Sequence, residues 1–291
     1  MDTAQFDSLV PTRDFSRRDF VRTTVGSGFA AAVLPVVAQT TIRTGADGLD
    51  AGAVTIPVGD HRMAAYRAAP AGKAGAPVVL VVSEIFGVHE HIADVARRFA
   101  RLGYFAIAPE LFERQGDAKA YGEIGKLIAE VVSKVPDAQV MADLDACVGW
   151  ARAQGADTGR LGVTGFCWGG RITWLYAAHN PAVKAGVAWY GRLVGQANPL
   201  QPRHPVELAG ALTAPVLGLY GGADTGIPLE TVEQMKAALA AGSEAARRSR
   251  FQVYPDAPHA FHADYRPSYR EAAARDAWQR CLDWMREHGV A

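Results

Sequence analysis

Apolar residues along this chain change rhythm in a way that spells out alternating strands and helices. Val54-Thr55-Ile56 and Met63-Ala64-Ala65-Tyr66 sit either side of Gly59-Asp60-His61, which predicts an opening antiparallel hairpin. Pro77 to Val82 is an unbroken apolar run, of the sort buried on both faces of a parallel sheet. Ile92, Val95, Ala96, Phe99 and Leu102 then recur at helical spacing, and Gly103 ends that helix. Residues 105–108 predict a strand closed by Pro109, and helical stretches follow around 118–132 and 137–153. A strand over 160–164 feeds a helix that starts at Trp168. Further strands are expected at 185–189, 215–220 and 251–254, with helices at 229–241 and 270–288.

Strands alternating with helices of this length imply an α/β protein. Its central sheet is mostly parallel, with helices on both faces. In such folds ligands bind beyond the carboxyl ends of the strands. A chain of 291 residues fits one such domain, and 49% hydrophobic residues supply a sizeable core. Formal charge is zero, so nothing points to nucleic acid or an acidic membrane surface as a partner. Three cysteines at irregular spacing argue against a disulfide framework. No nucleotide or flavin fingerprint is present, and no cofactor is inferred.

The N-terminus is a separate object. Ser16-Arg17-Arg18-Asp19-Phe20-Val21 matches the twin-arginine export pattern, and an uncharged stretch runs from Thr23 to Ile42. Its glycines and alanines make it too weak for a membrane span, which needs about 20 predominantly apolar residues. Val36-x-Ala38 fits small-residue cleavage. Residues 1–38 are therefore read as a signal peptide for the twin-arginine export machinery, with a periplasmic destination. Residues 39–49 form a linker, and the domain begins at 50. An amphipathic helix that stays attached is the alternative. The leader's charges cancel, so the mature chain stays neutral.

The chemistry gathers where strand-end placement puts it. Gly165-Phe166-Cys167-Trp168-Gly169 joins a strand directly to a helix, the pattern of a nucleophile elbow with sulfur in place of serine. The flanking glycines remove Cβ atoms that would clash in so sharp a turn. The helix N-terminus favours a negatively charged sulfur. Asp224 follows the strand ending near Tyr220, and His259 follows the strand ending at Tyr254. Nucleophile, acid and base in this chain order match the α/β-hydrolase arrangement. Alternatives exist for each residue. Cys147 and Cys281 lie on apolar helix faces and read as inert core thiols, and Cys167 has that reading available too. Asp224 is a candidate helix cap, Asp256 a competing acid and His262 a competing base. His259, His262 and Asp264 form one metal-like cluster and His89 with His91 another, but neither has ligand spacing and no metal is expected.

Five segments in order carry a closer resemblance. They are Ser83-Glu84-Ile85-Phe86-Gly87, Pro109-Glu110-Leu111-Phe112-Glu113-Arg114, Gly165 to Gly170, Gly221-Gly222-Ala223-Asp224 and Pro258-His259-Ala260-Phe261. Together they resemble the dienelactone hydrolase (carboxymethylenebutenolidase) family of α/β-hydrolases, over roughly residues 50 to 288. The resemblance implies the α/β-hydrolase fold and an esterase that opens enol-lactones. It implies Cys167 as nucleophile, His259 as base, Asp224 as its orienting partner and Glu84 as the carboxylate that gates the thiol. The backbone N–H groups of Ile85 and Trp168 would form the oxyanion hole, and Arg114 would bind substrate. The family's second substrate arginine falls at Ala263, with Arg266 three residues beyond, so dienelactone itself is not assured as the substrate. The expected partner is a small lactone or ester, and the expected state is a monomer. A general carboxylesterase, a non-catalytic binding protein and a thiol redox protein are the competing readings. Redox use would want a resolving cysteine near Cys167.

Overall fold

A computed structural model describes residues 41–291. The proposed signal peptide and the first two linker residues lie outside the described residues. The opening hairpin is β1 (Leu49–Val58) and β2 (His61–Pro70), paired antiparallel across Gly59-Asp60. Strand β2 also runs antiparallel to β4 (Phe105–Pro109), which joins the hairpin to the main sheet. The remaining strands are β3 (Pro77–Val82), β5 (Asp157–Phe166), β6 (Val183–Trp189), β7 (Val216–Gly221) and β8 (Arg250–Tyr254). The sheet order is β1-β2-β4-β3-β5-β6-β7-β8, and every pairing from β4 onward is parallel.

The longer helices are α1 (Glu90–Arg101), α2 (Ile124–Glu130), α3 (Asp137–Ala153) and α4 (Trp168–His179). After the short α5 (Pro205–Leu208) come α6 (Leu229–Ala240), the short α7 (Glu244–Arg248) and α8 (Glu271–Glu287). Side chains alternate along a strand, so Gly162 and Gly165 of β5 look to opposite faces. A Cβ on Gly162 would meet Met285 of α8, whereas one on Gly165 would meet Gly169 of α4. Helices therefore cover both faces of the sheet. All six residues of β3 are buried, as its unbroken apolar run requires.

Three expectations need correction. Leu102 does not continue the apolar face of α1: it is the C-cap residue and 53% exposed, because the chain has already turned toward Gly103 at φ 98°. The stretch 118–132 is not one helix. Two 3₁₀ turns, Ala118–Ala120 and Val132–Lys134, bracket α2, with Gly122 and Gly125 in between. Leu49, placed in the linker, is the first residue of β1. The preceding linker residues lie against α1, where Arg97 Nε donates to the Thr44 carbonyl at 2.7 Å.

Candidate active site

Strands β3, β5, β6 and β7 end side by side, and β8 ends next to β7. That edge therefore receives Glu84, Cys167, Tyr190, Asp224 and His259 from successive loops. Cys167 stands between β5 and α4 with φ 54° and ψ −110°, left-handed backbone that a non-glycine residue rarely adopts. The turn is possible because Gly165 and Gly169 lack side chains. A Cβ on Gly165 would lie 2.2 Å from the Gly169 carbonyl oxygen, and one on Gly169 would lie 2.3 Å from that of Val82. The Cys167 N–H donates to the Trp189 carbonyl at 3.0 Å, which fixes the elbow on β6. Trp168 opens α4, so its N–H has no acceptor within the helix.

Strain concentrates here. Among the described residues the non-glycine residues with positive φ are Cys167, Tyr190 at 38° and Ala260 at 58°. All three lie in loops at the same edge, and Ala260 directly follows His259. Such backbone costs on the order of 1–3 kcal/mol per residue and persists only where the surroundings enforce it, commonly at functional sites.

His259 Nδ1 lies 2.7 Å from Asp224 Oδ2. The other oxygen of Asp224 accepts from the backbone N–H groups of Gly226 and Ile227, at 2.9 and 3.2 Å. The carboxylate therefore bridges its own turn and the imidazole, so the turn-capping and imidazole-orienting readings of Asp224 both describe its contacts. Burial alone would pull the His259 imidazole down. The Asp224 charge first, then the field of nearby Cys167, and the hydrogen bond to Asp224 reverse this and push it up to about 10. Cys167, His259 and Asp224 are 1%, 2% and 5% exposed, so their chemistry is shielded from bulk water. Asp256, the competing acid, faces solvent. His262, the competing base, is a core histidine, with its ring 4.5 Å from Trp189 and stacked 5.2 Å from Phe166. Burial pushes it well below the ordinary range.

Glu84 and Ile85 follow β3, whose last residue Val82 is paired with Gly165. Glu84 is buried, with Oε2 3.3 Å from His89 Nε2. Burial would raise its carboxyl, but His89, His91 and Arg266 bring it down to about 2. Arg114 is engaged elsewhere: Nη1 and Nη2 grip the two oxygens of Asp143 on α3, each at 2.7 Å. Binding a substrate carboxylate there would mean giving up a bidentate pair. Arg266 instead stacks 4.8 Å from the Phe86 ring, within the fields of Glu84 and Cys167. Cys147 and Cys281 are fully buried, and burial pushes both thiols far up. Inert thiols of that kind cannot resolve an oxidised Cys167.

Two residues at this edge escaped the sequence reading. Tyr190 follows β6, its ring edge-on to His259 at 5.1 Å, and its hydroxyl is buried without a hydrogen-bond partner among the described residues. The strand-end rule that found Asp224 would have found it. Sequence spacing offers His89 only as a metal-like residue. Among the described residues no group of three or more His, Cys, Asp and Glu side chains is arranged to hold a metal ion.

Residues 63–289 match the model of the dienelactone hydrolase family. A carboxymethylenebutenolidase homologue of Methylorubrum extorquens is 61% identical over 289 residues, spanning 99% of this chain and 98% of that one. One from Salmonella typhimurium is 56% identical over 268 residues, covering 92% of this chain and 98% of its own length. The crystal structure of a dienelactone hydrolase homologue from Klebsiella pneumoniae superposes with a TM-score of 0.80 at 56% identity, over 82% of this chain and 99% of that one. With matches of this extent on an α/β fold, the chain belongs to the dienelactone hydrolase family of hydrolases.

Proposed function

We propose that this protein hydrolyses enol-lactones or comparably activated esters, with Cys167 as nucleophile and a thioester acyl-enzyme. The observation that carries the reading is the buried 2.7 Å Asp224–His259 pair set against a cysteine in a left-handed elbow. In the forward step His259 takes the thiol proton, and sulfur adds to the substrate carbonyl. The resulting oxyanion meets the backbone N–H groups of Ile85 and Trp168. One such donor typically contributes about 2.7–4 kcal/mol to transition-state stabilisation. Collapse expels the enolate, which takes the proton from His259, leaving the acyl group on sulfur and the imidazole neutral. His259 then draws a proton from water, which attacks the thioester and returns sulfur as leaving group. Asp224 holds the ring in the tautomer and orientation both steps need.

Sulfur narrows the substrate. From the tetrahedral intermediate of an alkyl ester, thiolate leaves more readily than alkoxide and the adduct reverts. An enolate or phenolate competes with sulfur as leaving group, so only activated esters move forward. Arg266 is the cation that the site's own carboxylate and sulfur feel, and it supports an anionic group on the substrate. The discriminating experiment compares turnover of an enol-lactone with that of a matched saturated alkyl lactone. The reading expects a large preference for the enol-lactone, and equal rates would defeat it.

A further inference from the structure

Glu84 stands at the position expected of the thiol-gating carboxylate, and the histidine cluster behind it has no role in the mechanism. His89 is the N-cap residue of α1, and its side chain makes no cap hydrogen bond. It is buried and held from several directions: edge-on to Tyr265 at 5.1 Å and to Phe86 at 6.5 Å, and stacked on His91 at 6.1 Å. His91 is itself fixed, with Nδ1 3.1 Å from Asp264 Oδ1, and Arg98 donates to the other oxygen of Asp264 at 2.7 Å. Packing thus sets the direction in which His89 Nε2 points. That direction leads to Glu84 Oε2 at 3.3 Å. The other oxygen, Oε1, is buried and has no hydrogen-bond partner among the described residues. A carboxylate taken out of water stays ionised only beside a donor or a positive charge.

We propose that His89 is a positioning residue for the hydrolytic site: its packed ring tethers Glu84 by one oxygen, keeps it ionised and leaves the second oxygen available to the nucleophile and substrate. This rests on the reading of Glu84 as the carboxylate beside Cys167. The groups that face the pair are His91 from α1, and His262, Asp264, Tyr265 and Arg266 from the loop after β8. Tyr190 and Cys167, from the ends of β6 and β5, complete the set. Burial lowers His89 from its ordinary value, and Glu84 offsets that only in part. Toward an ionised Glu84, Nε2 is the ring atom that donates, and the Tyr265 hydroxyl lies 3.5 Å from the same nitrogen.

The test is a direct titration. Protein labelled with ¹³C-glutamate is followed by NMR, and the Glu84 carboxyl is assigned by its absence in Glu84→Gln. Wild type is compared with His89→Phe, which keeps a ring and removes the donor, and with His89→Gln, which keeps an N–H donor and removes the ring. The expected result is that Glu84 stays ionised well below pH 4.5 in wild type. In His89→Phe its midpoint rises by at least one pH unit, and the acid limb of kcat/KM moves with it. His89→Gln returns most of that shift. If His89→Phe fails to fold, wild type and His89→Gln still decide, since a wild-type midpoint at or above 4.5 overturns the proposal. So does an unchanged midpoint in a folded His89→Phe. The readout does not pass through sulfur, so retained turnover in Cys167→Ala would sink the nucleophile and leave this measurement standing.

Discussion

Two carboxylate–histidine pairs share one edge of this sheet, and they carry opposite charge logic. In Asp224–His259 the imidazole is pushed up to about 10, whereas in Glu84–His89 the imidazole is lowered and the carboxylate is brought to about 2. Composition and burial do not separate them, since all four side chains are buried. Distance and neighbours do. Asp224 approaches its ring to 2.7 Å and is braced by two backbone N–H groups, and the field of Cys167 adds to its effect on the imidazole. Glu84 stands at 3.3 Å from a ring that also feels His91 and Arg266, two groups that oppose a further positive charge. The first pair suits proton transfer and the second suits holding a fixed negative charge.

That contrast can be broken most violently through Asp224→Asn. Losing the acceptor frees the His259 tautomer, and kcat should fall by on the order of 10³-fold or more with little change in KM, measured on an aryl ester. The His259 ring resonance should then titrate below its wild-type position, while Glu84 is unmoved. A smaller effect is expected from Gly165→Ala, which leaves both pairs chemically intact and attacks the elbow between them. The added Cβ collides with backbone, so chemical denaturation should show a loss of about 1–3 kcal/mol, with activity falling in step. An unchanged midpoint would mean that the elbow tolerates a side chain there.

The mildest effect is the pH dependence of stability, where the two pairs act at opposite ends. His259 is raised above its ordinary 6.5, so its contribution is complete below about 6.5 and fades as pH rises through about 10. Glu84 is lowered from 4.5, so its contribution is present above about 4.5 and fades as pH falls toward about 2. Denaturation midpoints across pH should decline at both ends, the alkaline decline vanishing in Asp224→Asn and the acid decline shrinking in His89→Phe. If both variants altered the same limb, the assignment of opposite roles would be wrong.

Much of this was legible in the residues. The apolar run of β3, the Gly-flanked elbow and the strand-end positions of Asp224 and His259 follow from periodicity and turn chemistry that act locally. The parts that were not legible depend on who arrives from elsewhere. Arg114 matches a substrate arginine by position, yet an acid on α3, 29 residues on, takes up its guanidinium. His89 and His91 read as a loose metal-like pair because spacing does not show that His89 turns back to Glu84, five residues before it, or that Asp264 reaches His91 from the loop after β8. Leu102 kept helical spacing although the helix had already ended. Spacing describes a face, and a neighbour decides whether that face is buried.

The central claim is that Cys167 carries the acyl group during turnover. Its most direct measurement is rapid acid quenching of the protein mixed with an aryl ester of slow deacylation, followed by intact-mass and peptide mass spectrometry. The account expects one acyl addition, confined to the peptide containing Cys167 and released by hydroxylamine. Turnover with no adduct at any quench time, or an adduct at Ser83 or another residue in its place, would contradict it.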